Sequence, residues 1–219
     1  MPVDHASRRS ALRRLLADRD LDALLVTDLL NIRYLTGFTG SNAALLVSTD
    51  DDRDESRTLV CTDGRYLTQV AEQVPDLRAE IARAAAAHLI TTAGARTATW
   101  GFESHVVTVD ERSRWDRLDS AVRFTPTPGL VEQLRMVKDE HEVELLRAAC
   151  AAADRALADL IAEGGLRPGR TERQVGRDLE WRMLGHGADG ISFETIVAAG
   201  ANSAVPHHRP TDPVLATGD

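Results

Sequence analysis

The residues best suited to chemistry in this chain are two adjacent histidines, His207 and His208. They lie in "ANSAVPHHRPTDPVLATGD", residues 201–219, between small residues and a proline-rich acidic turn. An imidazole can exchange a proton near neutral pH or donate a hydrogen bond to a developing negative charge. The pair is therefore a candidate catalytic group. From the residue types alone, an exposed polar turn is the commoner arrangement.

The other titratable residues form no known metal-binding or nucleophile motif. There is no HExxH and no Cys/His cluster, and Glu103 with His105 is the closest local pair. A polar turn at the end of a strand explains that pair better than a ligand set does. The sequence therefore predicts no metal ligands in this chain. The remaining histidines are scattered: His5, His88, His141 and His186.

Strands and helices alternate over residues 1–127, which predicts an α/β domain with a mixed sheet and helices on both faces. The first helix, "SRRSALRRLLADRD", places Leu12, Leu15 and Leu16 on one apolar face. Its arginines are expected to form a solvated face rather than a nucleic-acid patch. Asp63 is expected to cap the helix that follows it. The acidic stretch "DDRDESR", residues 51–57, is predicted to be a loop between two strands.

Proline and glycine at residues 126, 128 and 129 predict a domain boundary, which divides the chain into residues 1–127 and 128–219. The second part predicts a long helix capped by Asp139 with Glu142, a second helix with a Thr171/Gln174 capping box, and a strand in "ISFETIVAAG". Two helices and one strand cannot complete a sheet. Residues 128–219 are therefore predicted to be an incomplete α+β domain with an exposed strand edge and apolar helix stripe. That stripe comprises Val143, Leu146, Cys150, Ala153, Leu157, Leu160 and Ile161.

Composition excludes several classes of protein. A net charge of −8 and only 4% aromatic residues argue against a nucleic-acid partner. No apolar run is long enough to span a membrane, and no signal peptide is evident. Cys61 and Cys150 are expected to be buried thiols in a reducing compartment. These observations predict a cytoplasmic protein.

Four stretches, in order, resemble the pita-bread metallopeptidases, specifically the Xaa-Pro dipeptidase (prolidase) and Xaa-Pro aminopeptidase branch. The resemblance implies a creatinase/prolidase-like N-terminal domain over residues 1–127 and the first part of a pita-bread catalytic domain over residues 128–219. The four stretches are "NIRYLTGFTGSNAALLV" (31–47), "TDGRYLTQV" (62–70), "RMVKDEHEVELLRAAC" (135–150) and "FETIVAAGANSAVPHHRPTDPVLATGD" (193–219).

The resemblance implies a homodimeric peptidase that cleaves the bond before proline in dipeptides or short peptides. Two divalent cations (Mn, Co or Zn) are expected in the complete protein, held by five ligands that the family places beyond this segment. None is expected in this chain, which is therefore predicted to be inactive alone. His207 falls at the family's pre-metal histidine, which stabilises the oxyanion. His208 and Phe193 are candidate substrate-binding residues. His208 is alternatively solvent-facing or at the subunit interface, and Phe193 is alternatively a core residue.

Two alternatives remain open from the sequence. A metal-free relative of the same fold would be a peptide-binding module without catalysis. A creatinase-like C–N hydrolase would keep the fold and need no metal. The "PHH" loop (206–208) argues against the binding module, because a pure scaffold needs no oxyanion donor. The C–N hydrolase depends on residues beyond this segment, so the sequence does not separate it from the peptidase.

Overall fold

The computed structural model describes residues 3–50, 55–94, 98–118 and 120–219, so residues 51–54 of the predicted acidic loop lie outside the described residues. The chain forms two compact units, Met1–Lys138 and Asp139–Asp219. None of the helices in the described ranges combines the length and apolarity needed to cross a membrane.

The described residues of the first unit form a six-stranded sheet, which is mixed as the sequence predicted. Its strands lie in the order β4-β3-β2-β1-β5-β6. The β1–β2 and β2–β3 pairs are antiparallel, and the other three pairs are parallel. The strands are β1 (Ala23–Val26), β2 (Ala43–Ser48), β3 (Leu59–Thr62), β4 (Arg78–Ile81), β5 (Ala98–Phe102) and β6 (Val122–Pro126).

In the described part of the first unit, six α-helices connect or flank these strands. Local capping sets several of their ends: Asp28 accepts hydrogen bonds from the first turn of α2, and Gly37 ends that helix with a left-handed φ of 82°. Asp63 caps a 3₁₀ turn, Gly64–Tyr66, that leads into α3, which confirms its predicted role. The helices are α1 (His5–Ala17), α2 (Leu29–Thr36), α3 (Leu67–Gln73), α4 (Ala85–Ala93), α5 (Val109–Trp115) and α6 (Leu130–Met136).

Hydrophobic cores lie on both faces of the sheet. Successive residues of a strand point to opposite faces, so Leu24 belongs to one core and Leu25 to the other. All four residues of β1 are buried, which explains why its sequence is a continuous apolar run rather than an alternating one. Helices therefore cover both faces, as predicted.

The first unit extends past the boundary predicted at residue 127. Leu130 and Val131 of α6 are buried in the same core as Leu24, which ties this helix to the sheet. The proline- and glycine-rich stretch is thus a turn within the unit, and the division between units falls at Lys138 and Asp139.

The arginines of α1 differ from the predicted solvated face. Arg9 and Arg13 are 0% and 3% exposed. Arg9 donates to the Leu35 carbonyl over 2.8 Å, and Arg13 donates to the Ser48 carbonyl over 3.1 Å. Both also pair with Glu55. The prediction is wrong for these two residues because their partners come from segments distant in sequence.

The second unit contains two helices, α7 (Glu140–Ala162) and α8 (Glu172–Gly185). Each begins with the predicted capping box, Asp139/Glu142 and Thr171/Gln174 respectively. The residues that α7 buries are Ala152, Ala156 and Leu160.

Much of the predicted apolar stripe on α7 is exposed. Leu146, Leu157 and Ile161 are 54%, 45% and 56% exposed. Cys150 is also exposed, so the prediction of a buried thiol is confirmed for Cys61 and wrong for Cys150. Within the stripe, Leu160 is buried and Val143 is half-buried.

The strand predicted in residues 191–200 does not form. This segment is irregular and leads into a 3₁₀ turn, Gly200–Ala204. A strand needs a neighbour to satisfy its backbone hydrogen bonds, and within residues 139–219 only one isolated bridge, Thr171 with Val214, forms. The β-branched composition of the segment was therefore an insufficient signal.

Candidate active site

His207 and His208 lie in a loop of the second unit, residues 199–211, and their environments differ. His207 has a left-handed backbone, with φ of 54°, and an exposed side chain that makes no hydrogen bond to another described residue. The His208 side chain is only 10% exposed, and its Nε2 lies 2.8 Å from Oε2 of Glu172. Of the two imidazoles, the first is therefore available to a ligand and the second is already engaged.

Glu172 is the buried centre of this loop. It follows the N-cap residue Thr171 at the start of α8, and its exposed fraction is 0%. Its Oε1 accepts hydrogen bonds from the Ala199 N–H and the Asn202 amide, each at 2.9 Å. Its Oε2 accepts from His208 and from the backbone and hydroxyl of Thr211, at 2.8, 3.0 and 2.8 Å.

These contacts determine the charge of Glu172. Burial acts to raise the pKa of its carboxyl group. Hydrogen bonds from the Asn202 and His208 side chains and from the Thr211 and Ala199 backbones outweigh burial and hold the pKa well below its usual range. The positive end of the α8 dipole favours the same ionised state. Glu172 is therefore an ionised carboxylate, and the Nε2–H group of His208 donates a hydrogen bond to it.

The three predicted site residues surround one depression of about 390 Å³. Phe193 is 73% exposed, so it is a surface residue rather than the core phenylalanine that the sequence left as an alternative. The lining of the depression is mostly apolar with a few polar groups, as in small-molecule sites. The lining residues are Phe193, Glu194, Thr195, Ile196, His207, His208 and Arg209.

Metal ligands are a separate question. In the described part of the chain, no group of three or more His, Cys, Asp or Glu side chains could hold a metal ion. The described residues therefore do not supply the ligands of the two-cation centre that the family resemblance implies.

Glu103 and His105 have separate partners. Glu103 is 2% exposed and accepts from the backbone N–H groups of Thr27 and Asp28, at 2.7 and 2.8 Å. His105 pairs with Glu132 at 3.2 Å. Burial raises the pKa of Glu103, and the hydrogen bonds only partly offset that effect. This arrangement ties the ends of β1 and β5 together.

Sequence reasoning missed Glu172. The available signal was its position next to the Thr171/Gln174 capping box, where an acidic residue is routinely explained by the helix dipole. Its partners lie 27 to 39 residues away, and no local pattern encodes them.

Comparison with known proteins places these features in a family. Residues 8–137, more than half of the chain, match the family model of the Creatinase/Prolidase N-terminal domain. The chain belongs to the creatinase/prolidase family. Residues 144–219 of this creatinase/prolidase family member match metallopeptidase family M24. The resemblance drawn from the four sequence stretches is thus confirmed.

Three relatives show how far this likeness extends. The uncharacterized peptidase YqhT of Bacillus subtilis (strain 168) is 32% identical over 212 residues, which cover 95% of this chain and 57% of that protein. The structure of an Xaa-Pro dipeptidase from Bacillus anthracis aligns with a TM-score of 0.86 and 29% identity, over 98% of this chain and 59% of that one.

The N-terminal domain of the cytoplasmic peptidase PepQ from Mycobacterium tuberculosis H37Rv aligns with a TM-score of 0.55 and 45% identity, over 59% of this chain and 98% of that domain. This creatinase/prolidase family member therefore spans less than two thirds of the two longer relatives, and its first unit corresponds to a domain that has been crystallised separately.

Proposed function

We propose that the protein containing this chain is a metal-dependent Xaa-Pro dipeptidase or aminopeptidase, which hydrolyses the bond before proline in dipeptides or short peptides. The family match and the likeness to a structure named as an Xaa-Pro dipeptidase support this proposal. The observation that carries it is that His207, which is exposed and makes no hydrogen bond to the residues that the structure describes, lines one depression together with exposed Phe193.

Each of these residues has a role that fits the reaction. The bond before proline is a tertiary amide without an N–H group, so its recognition depends on shape and on contacts to the proline ring. Phe193 offers an apolar face for that ring. The His207 imidazole can donate a hydrogen bond to the oxyanion that forms when water attacks the carbonyl carbon.

The metal belongs to a part of the protein that we propose lies outside residues 1–219. Two divalent cations (Mn, Co or Zn) would supply an activated water and a polarised carbonyl. We therefore expect the 219-residue chain to be inactive alone. The proposal includes a homodimer in the cytoplasm, and light scattering of the purified protein tests the dimer.

A kinetic assay of the complete gene product tests the activity. With added Mn²⁺, we expect Ala-Pro to be hydrolysed and Ala-Ala to be hydrolysed poorly, with proline release as the measurement. His207→Ala should lower kcat by about 100-fold or more with a small change in KM, because an oxyanion donor acts mainly in the transition state. His186→Ala is the matched control, since His186 pairs with Asp159 and does not line the depression. Normal turnover by His207→Ala would contradict the assignment.

A peptide-binding module is the second candidate. The exposed apolar residues of the depression, Phe193 and Ile196, favour it because they would bind a proline-containing peptide without any chemistry. Calorimetry and product analysis with Ala-Pro and Ala-Pro-Ala separate the two: binding of both peptides by the complete, metal-supplemented protein without product formation would support the module and exclude the peptidase.

A further inference from the structure

Glu172 holds the loop of residues 199–211 at three places. Its carboxylate accepts from Ala199 and Asn202 near the start of the loop, from His208 in the middle and from Thr211 at the end. All of these donors belong to one continuous segment, and the acceptor is a single fully buried side chain on a helix. One buried residue of α8 therefore holds the loop along its length.

The chemistry of these contacts requires a carboxylate. The two ionised oxygens together accept from five donors, one more than the roughly four lone-pair sites of a carboxylate, so every site is used and at least one is shared. A glutamine of the same shape has one acceptor oxygen, and its NH₂ group would face the donors at the other position. Those donors would then be buried without a partner, which is costly. The first turn of a helix does not by itself require a carboxylate, since several kinds of polar side chain can accept from its free N–H groups.

His208, which contacts Glu172, is the residue directly after His207, the candidate catalytic histidine. His208 is immobilised against Glu172, while His207 carries the strained left-handed backbone and the exposed imidazole. A non-glycine residue adopts a positive φ at a cost unless its surroundings enforce it. The hydrogen bonds of the neighbouring residue supply that enforcement.

We propose that Glu172 is a positioning residue for His207 in the reaction proposed above, on which this inference rests. It holds His208 and both ends of the loop, so that His207 presents its imidazole at the depression beside Phe193. The adjacent histidines thus have separate roles. His208 supports the loop, and His207 meets the substrate.

Hydrogen exchange on the 219-residue chain tests the anchoring without any metal or substrate. In Glu172→Gln, we expect the amide of Ala199 or of Thr211 to exchange at least ten-fold faster than in the wild type, because one set of donors loses its acceptor. Glu163→Gln is the matched control, because Glu163 forms an exposed ion pair with Arg182 in the same unit. Unchanged protection of both amides in Glu172→Gln would overturn the proposal.

Kinetics of the complete enzyme test the link to His207. Glu172→Gln and His208→Ala should each lower kcat at least ten-fold while KM changes less than three-fold. His208→Gln keeps an N–H donor for Glu172 and should restore most of kcat. Rescue by His208→Gln would show that kcat depends on the hydrogen bond to Glu172 and not on another property of the imidazole.

The outcomes separate the two proposals. If His208→Gln is as inactive as His208→Ala while the wild type is active, His208 itself acts on the substrate and the division of roles is wrong. If the wild type hydrolyses no Xaa-Pro peptide, the proposed function fails, and the exchange rates still decide whether Glu172 anchors the loop.

Discussion

Replacing Arg9 by alanine tests the buried ionic cluster beneath α1. The guanidinium is 0% exposed and donates to the Leu35 carbonyl over 2.8 Å and to Glu55 over 3.1 Å. Truncation leaves that carbonyl without this donor, which costs about 1–3 kcal/mol. Its pair with the half-exposed Asp76 contributes less than about 1 kcal/mol. With the cavity left by a fully buried side chain, we expect the free energy of unfolding of the first unit to fall by about 3–5 kcal/mol.

Urea unfolding followed by tryptophan fluorescence measures this change. Trp100 and Trp115 are buried in the first unit and Trp181 is 76% exposed in the second, so the signal reports mainly on the first unit. Arg14→Ala is the control, because Arg14 lies on the same helix and is exposed. We expect it to change stability by no more than about 1 kcal/mol. Equally small effects for both variants would refute the reasoning and support a solvated arginine face.

Three further predictions follow from the structure. The pKa of Glu172 is lower in the folded than in the unfolded protein, so its contribution to stability is present above the unfolded pKa of about 4.3 and is lost as the pH falls toward the folded pKa. Thermal unfolding between pH 6 and pH 3 should therefore show an acid-dependent loss of stability in the wild type that Glu172→Gln lacks. A thiol reagent should modify exposed Cys150 quickly and Cys61 only on unfolding, because burial raises the pKa of the Cys61 thiol to about 11; equal rates would contradict this. Limited proteolysis followed by mass spectrometry should place the first cuts within residues 139–219, where apolar side chains are exposed, and early cuts in the sheet would oppose that prediction.

The parts of the fold that the sequence predicted are those whose causes are local. The capping boxes at Asp139 and Thr171 each join residues three apart, so their pattern is visible in a short window. The continuous apolar run of β1 and the helices that alternate with the strands likewise predict a covered mixed sheet. The position of the candidate site followed from the family resemblance rather than from such patterns.

The predictions that failed depended on partners far away in the chain. The segment 191–200 has the composition of a strand, yet a strand forms only beside another strand. The arginines of α1 have the spacing of a solvated face, yet Glu55 lies 46 residues from Arg9 and pairs with it. Neither partner can be inferred from the residues adjacent to the segment concerned.

Glu172 shows why this limit matters most at a functional site. By its position alone it would stabilise the dipole of α8 by about 0.3–1 kcal/mol, as any exposed acid there would. Glu172 is fully buried instead, and a buried carboxylate without hydrogen-bond donors would destabilise the folded protein far more than the helix dipole stabilises it. The loop must therefore supply donors wherever it passes, and a loop bound in this way cannot move its histidines freely. A buried charge at a helix start thus predicts an ordered neighbouring loop, which local pattern alone does not.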